Sequence, residues 1–89
     1  MDAGKLRPHL VIGGFANALE EVVKVGTDGA IKYSDNGWRE VANGEQRYLD
    51  ALGRHLLAFQ KGEDRDPLSG SRHLAHVAWN ALAVLELTR

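Results

Sequence analysis

The sequence predicts an all-α fold: a small helical bundle of three main helices plus a short helical turn, in a single domain over residues 1–89. Three observations support this class. Apolar residues recur every three or four positions in the segments assigned to helices. No segment alternates apolar and polar residues for the length of a strand. The last segment is apolar on nearly every side, which is typical of a central or interface helix, so we expect oligomerisation to complete the bundle.

The N-terminal part is predicted to be extended up to the first helix. Over residues 1–13, Pro8 disfavours helical backbone at the residue before it, and Gly13-Gly14 interrupts a short apolar run. The three-to-four spacing of apolar residues then predicts a helix from about Phe15 to Val25. We expect Gly26 to end that helix.

The middle of the chain is rich in turn-forming residues. Thr27 or Asp28 is a suitable cap for a short helical turn over residues 29–33. Residues 34–37, with the sequence Ser-Asp-Asn-Gly, then predict a turn. Residues 39–43 are compatible with either a loop or an irregular helix.

Two further helices account for the second half of the chain. One is predicted from Glu45 to Gln60, ended by Gly62. An acidic loop over residues 63–70 follows. Ser71 is then the predicted cap of the last helix, which extends to about Leu87.

Composition excludes several classes of protein. The formal net charge is -1, with 11 basic and 12 acidic residues, whereas general nucleic-acid binding needs a basic excess. The absence of cysteine excludes disulfides and thiolate metal sites. No apolar run resembles a signal peptide or reaches transmembrane length. We therefore expect a soluble cytoplasmic protein with no membrane partner and no general affinity for nucleic acids.

The acidic loop and the helix after it form the most informative stretch. Three carboxylates in the loop precede His73, His76 and Asn80, whose spacing places them on one helix face. Asp66, His73 and His76 are the predicted metal ligands, and the oxygen-rich loop favours Mg²⁺ (or Mn²⁺). Two alternatives stay open: the histidines are buried and bonded to loop carboxylates, and Asp66 only caps a turn at Pro67.

Basic and aromatic residues elsewhere suit a nucleotide. We expect arginine and lysine side chains to converge on phosphate oxygens and aromatic rings to stack on a base. The alternatives are surface salt bridges for the basic residues and a place in the core for the aromatic ones. The predicted nucleotide-binding residues are Lys5, Arg7, Lys32, Tyr33, Trp38, Arg47 and Arg54.

Several segments, taken in order, resemble a known family. They are residues 29–33 (GAIKY), Trp38, 48–57 (YLDALGRHLL), 62–66 (GEDRD), 69–70 (SG) and 73–80 (HLAHVAWN). Their order is similar to that of the phage-type dATP/dGTP diphosphohydrolase N-terminal domain family, which is related by annotation to the MazG-like all-α nucleotide pyrophosphohydrolases. The likeness extends from about Lys5 to Leu87.

This resemblance implies an oligomeric helical bundle that hydrolyses a purine (deoxy)nucleoside triphosphate to monophosphate and pyrophosphate with the help of a metal ion. In the MazG-like enzymes, carboxylates on helices hold Mg²⁺, which activates water against the triphosphate. For such a reaction, the catalytic candidates in this sequence are Glu21, Glu63 and Asp66. Lys32 and Arg54 are then expected to hold phosphates, and Tyr33 or Trp38 to contact the base.

Two other functions compete with hydrolysis. The paired acidic motifs of the MazG type, Glu-x-x-Glu followed by Glu-x-x-Asp, are absent. Their absence favours a non-catalytic protein that sequesters a signalling nucleotide, as an anti-defence sponge would. The third hypothesis is a structural oligomer in which the histidines and acids only tie the loop to the last helix.

Overall fold

The computed structural model describes residues 3–89 and is all-α over that range, as predicted. Its four α-helices are α1 (His9–Ile12), α2 (Ala16–Lys32), α3 (Gly44–Gln60) and α4 (His73–Leu87), and a 3-10 turn (Gly37–Glu40) precedes α3. Residues 3–89 contain no strand beyond one isolated bridge, between Arg65 and Arg72. None of the helices in that range has both the length and the apolar character needed to cross a lipid bilayer.

Helices α3 and α4 form an antiparallel hairpin that carries most of the packing. At one end of the hairpin, a Cβ at Gly44 would lie 3.5 Å from Leu87 Cδ1. At the other end, the His55 and His73 rings lie with their centroids 5.1 Å apart. Small residues on α4, such as Ala83 (3% exposed), allow the helix backbones to approach closely. The observed bounds of α3 confirm the predicted helix to within one residue.

Three aromatic rings form a junction where the 3-10 turn meets the hairpin. Trp38, Tyr48 and Trp79 contact one another edge-to-face, with ring centroids 5.6–6.3 Å apart. The Tyr48 hydroxyl also donates a 2.6 Å hydrogen bond to the Trp38 carbonyl. Of the two roles that the sequence left open for Trp38, its contacts match the one of packing. The 3-10 turn likewise gives residues up to Glu40 an irregular helical form.

Helix α2 is longer than the sequence suggests. It runs without a break through Gly26, so the predicted end there and the separate turn over residues 29–33 are wrong. The reason is packing, because a Cβ at Gly26 would lie 3.1 Å from the Trp79 Nε1 atom. This glycine lets α2 approach the indole on α4, with Val22 and Val25 buried beside it.

The ends of the other helices bring two further corrections. Of the stretch predicted to be extended, residues 1 and 2 lie outside the described residues, and His9–Ile12 forms α1 instead. Pro8 starts this helix with φ near -55°, and a first-turn residue needs no N–H donor. Ser71 does not cap α4: Arg72 occupies the cap position, and no side chain provides a capping bond.

One side of α4 is left uncovered by the rest of the described chain. We expected this apolar helix to be central, and α2 and α3 do cover two of its sides. Leu82 and Leu85, however, remain 51% and 68% exposed. The predicted oligomerisation is compatible with these exposed side chains and stays a prediction.

The close approach at Gly26 yields a prediction about stability. Gly26→Leu should lower the free energy of unfolding by about 1–3 kcal/mol, because the new side chain forces α2 away from Trp79. Gly29 lies on the same helix, and a Cβ there would meet nothing within 4 Å. Gly29→Ala should therefore stabilise the protein, by up to about 1 kcal/mol, through helix propensity alone. Urea unfolding of both variants measures the difference, and equal midpoints would contradict this account of Gly26.

Candidate functional site

The end of α3 positions the first acidic side chain of the loop. Gly62, with φ of +99°, adopts a left-handed conformation that favours glycine. Its N–H bonds the Phe59 carbonyl at 2.9 Å, and the Glu63 N–H bonds the Ala58 carbonyl at 3.0 Å. This pair of bonds is a Schellman motif, which ends the helix and reverses the chain direction. Glu63 thereby starts the loop next to the beginning of α4.

Backbone hydrogen bonds close the loop over residues 63–72. The Asp66 N–H bonds the Ser71 carbonyl at 2.9 Å, and the Gly70 N–H bonds the Asp66 carbonyl at 2.7 Å. The His73 N–H then bonds the Asp64 carbonyl at 2.8 Å, which fixes the start of α4. Although it is acidic, the loop is thus a defined turn.

Asp66 is the half-buried carboxylate of this turn. Its Oδ1 accepts the Leu68 N–H at 3.1 Å, and its Oδ2 accepts the Ser69 hydroxyl at 3.2 Å. Burial opposes ionisation, but these two hydrogen bonds and the nearby imidazoles hold the pKa of Asp66 below its ordinary 3.8. Asp66 does cap the turn at Pro67, as one interpretation of the sequence held, and it also faces α4.

His55 and His76 face Asp66 from α3 and α4. Their rings stack, with centroids 4.2 Å apart and planes within 5° of parallel. His76 Nε2 lies 2.8 Å from Ser69 Oγ and 3.8 Å from Asp66 Oδ2. One ligand atom each from His55, Asp66 and His76 lie within 4.8 Å of one another, and we call these three residues the His–Asp cluster.

The electrostatics of the cluster favour neutral imidazoles. Desolvation lowers the pKa of His55 below 6.5, and the neighbouring His76 and His73 lower it further. Desolvation also lowers the pKa of His76, although Asp66 opposes this shift. Neutral rings keep a lone pair on one nitrogen, as metal binding and proton abstraction both require.

His73 lies beside the cluster rather than within it. Its side chain is buried, and its Nε2 lies 2.7 Å from Glu63 Oε1. Its Nδ1 lies 2.8 Å from His55 Nδ1. The structure therefore joins Glu63, His73 and His55 in one chain of contacts, and His55 takes the place beside Asp66 and His76 that the sequence assigned to His73.

Arg72 connects the remaining predicted catalytic acid to the loop. Its guanidinium lies 3.3 Å from Glu21 Oε2 on α2 and 3.3 Å from Asp64 Oδ1 in the loop. Glu21 is therefore engaged in an ion pair and belongs to none of the contacts of the His–Asp cluster. The pair ties α2 to the start of α4.

The predicted nucleotide-binding residues lie in several different places. Arg54 precedes His55 on α3 and is exposed, as is Arg47 about two turns earlier. Lys32 lies over the exposed Tyr33 ring at 5.3 Å, at the end of α2. Trp38 belongs to the aromatic junction, and Lys5 and Arg7 are exposed before α1. Apart from Arg54, whose charge acts on His55, none of these residues has a described contact with the cluster.

Two hollows of the surface lie away from the histidines. One of about 430 Å³ lies at the opposite end of the hairpin and is lined by residues that include Arg39, Gly44 and Leu87. A second, of about 220 Å³, lies beside Trp38 and Trp79. Neither hollow is lined by a cluster of titratable side chains, so the His–Asp cluster is the better candidate for a functional site.

Sequence reasoning missed three contributors to the site: His55, Ser69 and Arg72. His55 gave a signal, because it lies on the apolar side of α3 with Leu52 and Leu56, where a titratable side chain needs a partner. Ser69 and Arg72 gave none, because their contacts depend on how the loop folds.

The donor set of the cluster suits a divalent cation. Two imidazoles and a carboxylate are common ligands of such ions, and the cluster is only partly buried. The same atoms suit a proton acceptor for an attacking water. Both uses are typical of hydrolytic sites.

Comparison with known proteins gives a consistent assignment. The model of a family described as dATP/dGTP diphosphohydrolase, N-terminal, matches residues 1–89. A dATP/dGTP diphosphohydrolase of Salmonella phage PMBT28 is 36% identical over 77 residues, which cover 86% of this chain and 25% of that protein. The chain thus spans about a quarter of the length of the curated relative that it matches. No solved structure matches the chain.

The lowered histidine pKa values predict a pH-dependent stability. The unfolded chain binds protons at His55 and His76 near pH 6.5, whereas the folded chain binds them only at lower pH. The free energy of unfolding should therefore be highest above about pH 6.5 and should fall as the pH is lowered toward about 5. Asp66 adds a separate loss at pH values below about 3.8. Thermal melts in chelator-containing buffers across this range measure the effect.

Two variants separate the cluster from the other ionisable groups. His55→Asn should flatten the slope between pH 7 and pH 5, because it removes one of the shifted groups. His9→Asn, on the exposed α1, removes a histidine outside the cluster and is the matched control. The neighbouring charges of Lys24, Asp28 and Arg54 remain in both variants. A slope that His9→Asn flattens as much as His55→Asn does would contradict the assignment to the cluster.

Proposed function

Because the chain belongs to the dATP/dGTP diphosphohydrolase N-terminal family, we propose that it takes part in the metal-dependent hydrolysis of a purine deoxynucleoside triphosphate to the monophosphate and pyrophosphate. The observation that carries this proposal is the meeting of Asp66, His55 and His76 from three different segments of the chain. Hydrolysis of a triphosphate needs charge compensation and an activated water, and this cluster has groups suited to both.

A divalent cation, Mg²⁺ or Mn²⁺ as expected from the sequence, would offset the phosphate charge and lower the pKa of water. In this proposal Asp66 and the two imidazoles hold it. The low pKa of Asp66 keeps its carboxylate ionised at neutral pH, as a cation ligand must be.

The reaction places a water oxygen on the α-phosphorus and breaks the bond from that phosphorus to the oxygen that bridges it to the β-phosphorus. Pyrophosphate leaves with that bridging oxygen, and the water gives up a proton. Solvent accepts this proton, because in this proposal the lone pairs of Asp66, His55 and His76 within the cluster are used to bind the ion. The attacking water must lie in line with the bond to the leaving pyrophosphate.

The other predicted site residues take supporting roles in this proposal. Glu63 acts through His73, on which its carboxylate rests. Glu21 acts through Arg72, which it holds beside the loop. Arg54, next to His55 and exposed, is the predicted phosphate-binding residue closest to the cluster along the chain. Roles for Lys5, Arg7, Lys32, Tyr33, Trp38 and Arg47 remain predictions.

Turnover of nucleotides tests the proposal. With Mg²⁺ or Mn²⁺ present, dATP and dGTP should give monophosphate and pyrophosphate by chromatography, and dCTP and dTTP should react more slowly. Asp66→Asn should lower kcat/KM by at least about 100-fold, because it removes the carboxylate charge from the cluster. Asp35→Asn, an equivalent change in an exposed turn, is the matched control and should retain the activity.

Two outcomes would decide against hydrolysis. If wild-type protein binds a nucleotide tightly and releases it intact on denaturation, the protein sequesters its ligand, as the absence of the paired acidic motifs would allow. If Asp66→Asn and Asp35→Asn are equally active, any hydrolysis that is observed does not depend on the His–Asp cluster.

A further inference from the structure

We propose that His55, Asp66 and His76 bind a transition-metal ion of the Mn²⁺, Co²⁺ or Zn²⁺ type in preference to Mg²⁺, and that Glu63 and His73 are positioning residues that prepare His55 for it. Metal binding itself does not depend on the proposed function, although the use of the ion in hydrolysis does.

The spacing of the cluster is close to that of a bound ion. Ligand atoms about 2.0–2.2 Å from one ion lie about 3–3.6 Å from one another. His76 Nε2 and Asp66 Oδ2 are already 3.8 Å apart, and all three ligand atoms lie within 4.8 Å of one another. Shifts of about an ångström, together with a rotation of the stacked rings out of parallel, would bring the three ligand atoms to bonding distance.

A chain of hydrogen bonds sets the tautomer of His55. The Glu63 carboxylate can only accept, so the His73 Nε2, 2.7 Å away, carries the hydrogen and donates it. In a neutral ring, His73 Nδ1 is then an acceptor, and the His55 Nδ1, 2.8 Å away, must be the donor. The lone pair of His55 is thereby left on Nε2. This arrangement satisfies both contacts with one hydrogen on each of the two rings.

Because His73 is buried, the chain of hydrogen bonds from Glu63 to His55 is stable. Its side chain is 5% exposed, so water cannot readily replace either partner. Carboxylate–histidine pairs of this kind orient metal-binding imidazoles and raise their basicity. In this protein the His73 ring lies between the Glu63 carboxylate and the metal ligand His55. Glu63 therefore lies at the surface, where its side chain is 52% exposed.

Ser69 also positions metal ligands, on the other side of the cluster. Its hydroxyl lies 2.8 Å from His76 Nε2 and 3.2 Å from Asp66 Oδ2. A hydroxyl has one hydrogen, so donation to His76 leaves the lone pair of that ring on Nε2, where an ion would displace the contact. Donation to Asp66 would instead orient the carboxylate.

The choice of ion follows from the ligand types. Imidazole nitrogen suits Mn²⁺, Co²⁺ and Zn²⁺, whereas Mg²⁺ prefers oxygen ligands and retains several waters. Two of the three ligands in this cluster are nitrogens. The Mg²⁺ that commonly accompanies nucleotide phosphates would therefore be a poor competitor for this position.

Metal binding by the chelator-stripped protein tests the proposal without any nucleotide. MnCl2, CoCl2 and ZnCl2 should each raise the melting temperature at concentrations at which MgCl2 has little effect. Added Co²⁺ should also give a visible absorption band that titrates to one ion per chain. His55→Ala should abolish both signals, and His9→Ala, which removes an exposed histidine outside the cluster, should keep them.

Glu63→Gln tests the positioning chain with little risk to folding, because this side chain is half exposed. It should weaken Co²⁺ binding about 10–100-fold while the metal-free melting temperature stays near that of the wild type. An equal response to Mg²⁺ and Co²⁺, unchanged Co²⁺ binding in His55→Ala, or equal loss in His9→Ala would overturn the proposal. If the protein binds these ions but does not turn over nucleotides, only the proposed hydrolysis is overturned. If it turns over nucleotides but does not bind these ions, only the ion assignment is overturned.

Discussion

The register of the α3–α4 hairpin is the constraint on which the site depends. His55 belongs to α3, whereas His73 and His76 belong to α4, and only the antiparallel packing of the two helices brings the three rings together. A slip of one helical turn would move His55 by about 5.4 Å, further than any of its hydrogen bonds could stretch. The aromatic contact between Tyr48 and Trp79 and the close approach at Gly44 act against such a slip.

The loop between the two helices adds the carboxylate that completes the site. The Schellman motif at Gly62 and the backbone bonds around Asp66 fix the chain on both sides of the turn. Because these bonds involve the main chain, they hold the turn whichever acidic side chains it carries. Asp66 alone among the loop acids faces both His55 and His76, while Glu63 and Asp64 are engaged by His73 and Arg72. The repulsion expected within an acidic loop is reduced because its carboxylates point to different partners.

Local patterns in the sequence predicted much of this arrangement. The periodicity of residues 45–60 and the dense apolar run after residue 72 are local signals, and both helices lie where they were expected. The spacing of His73 and His76 likewise placed both on the side of α4 that faces the loop. The features that could not be predicted depend on non-local contacts. Helix α2 continues through Gly26 because that glycine packs against Trp79, which is far away in sequence. His55 joins the cluster through a helix register that no motif encodes. Ser71, a good cap by composition, instead accepts a bond from Lys24, since the loop turns it toward α2.

The aromatic junction gives the molecule a built-in optical reporter. Both tryptophans of the chain, Trp38 and Trp79, belong to it, with ring centroids 5.7 Å apart and planes at 78°. Indole transitions at so short a separation couple, and their coupling contributes to near-ultraviolet circular dichroism only while the rings keep a fixed mutual orientation. The signal therefore originates where the 3-10 turn meets α3 and α4, and it reports directly on whether the hairpin that carries the histidines is assembled.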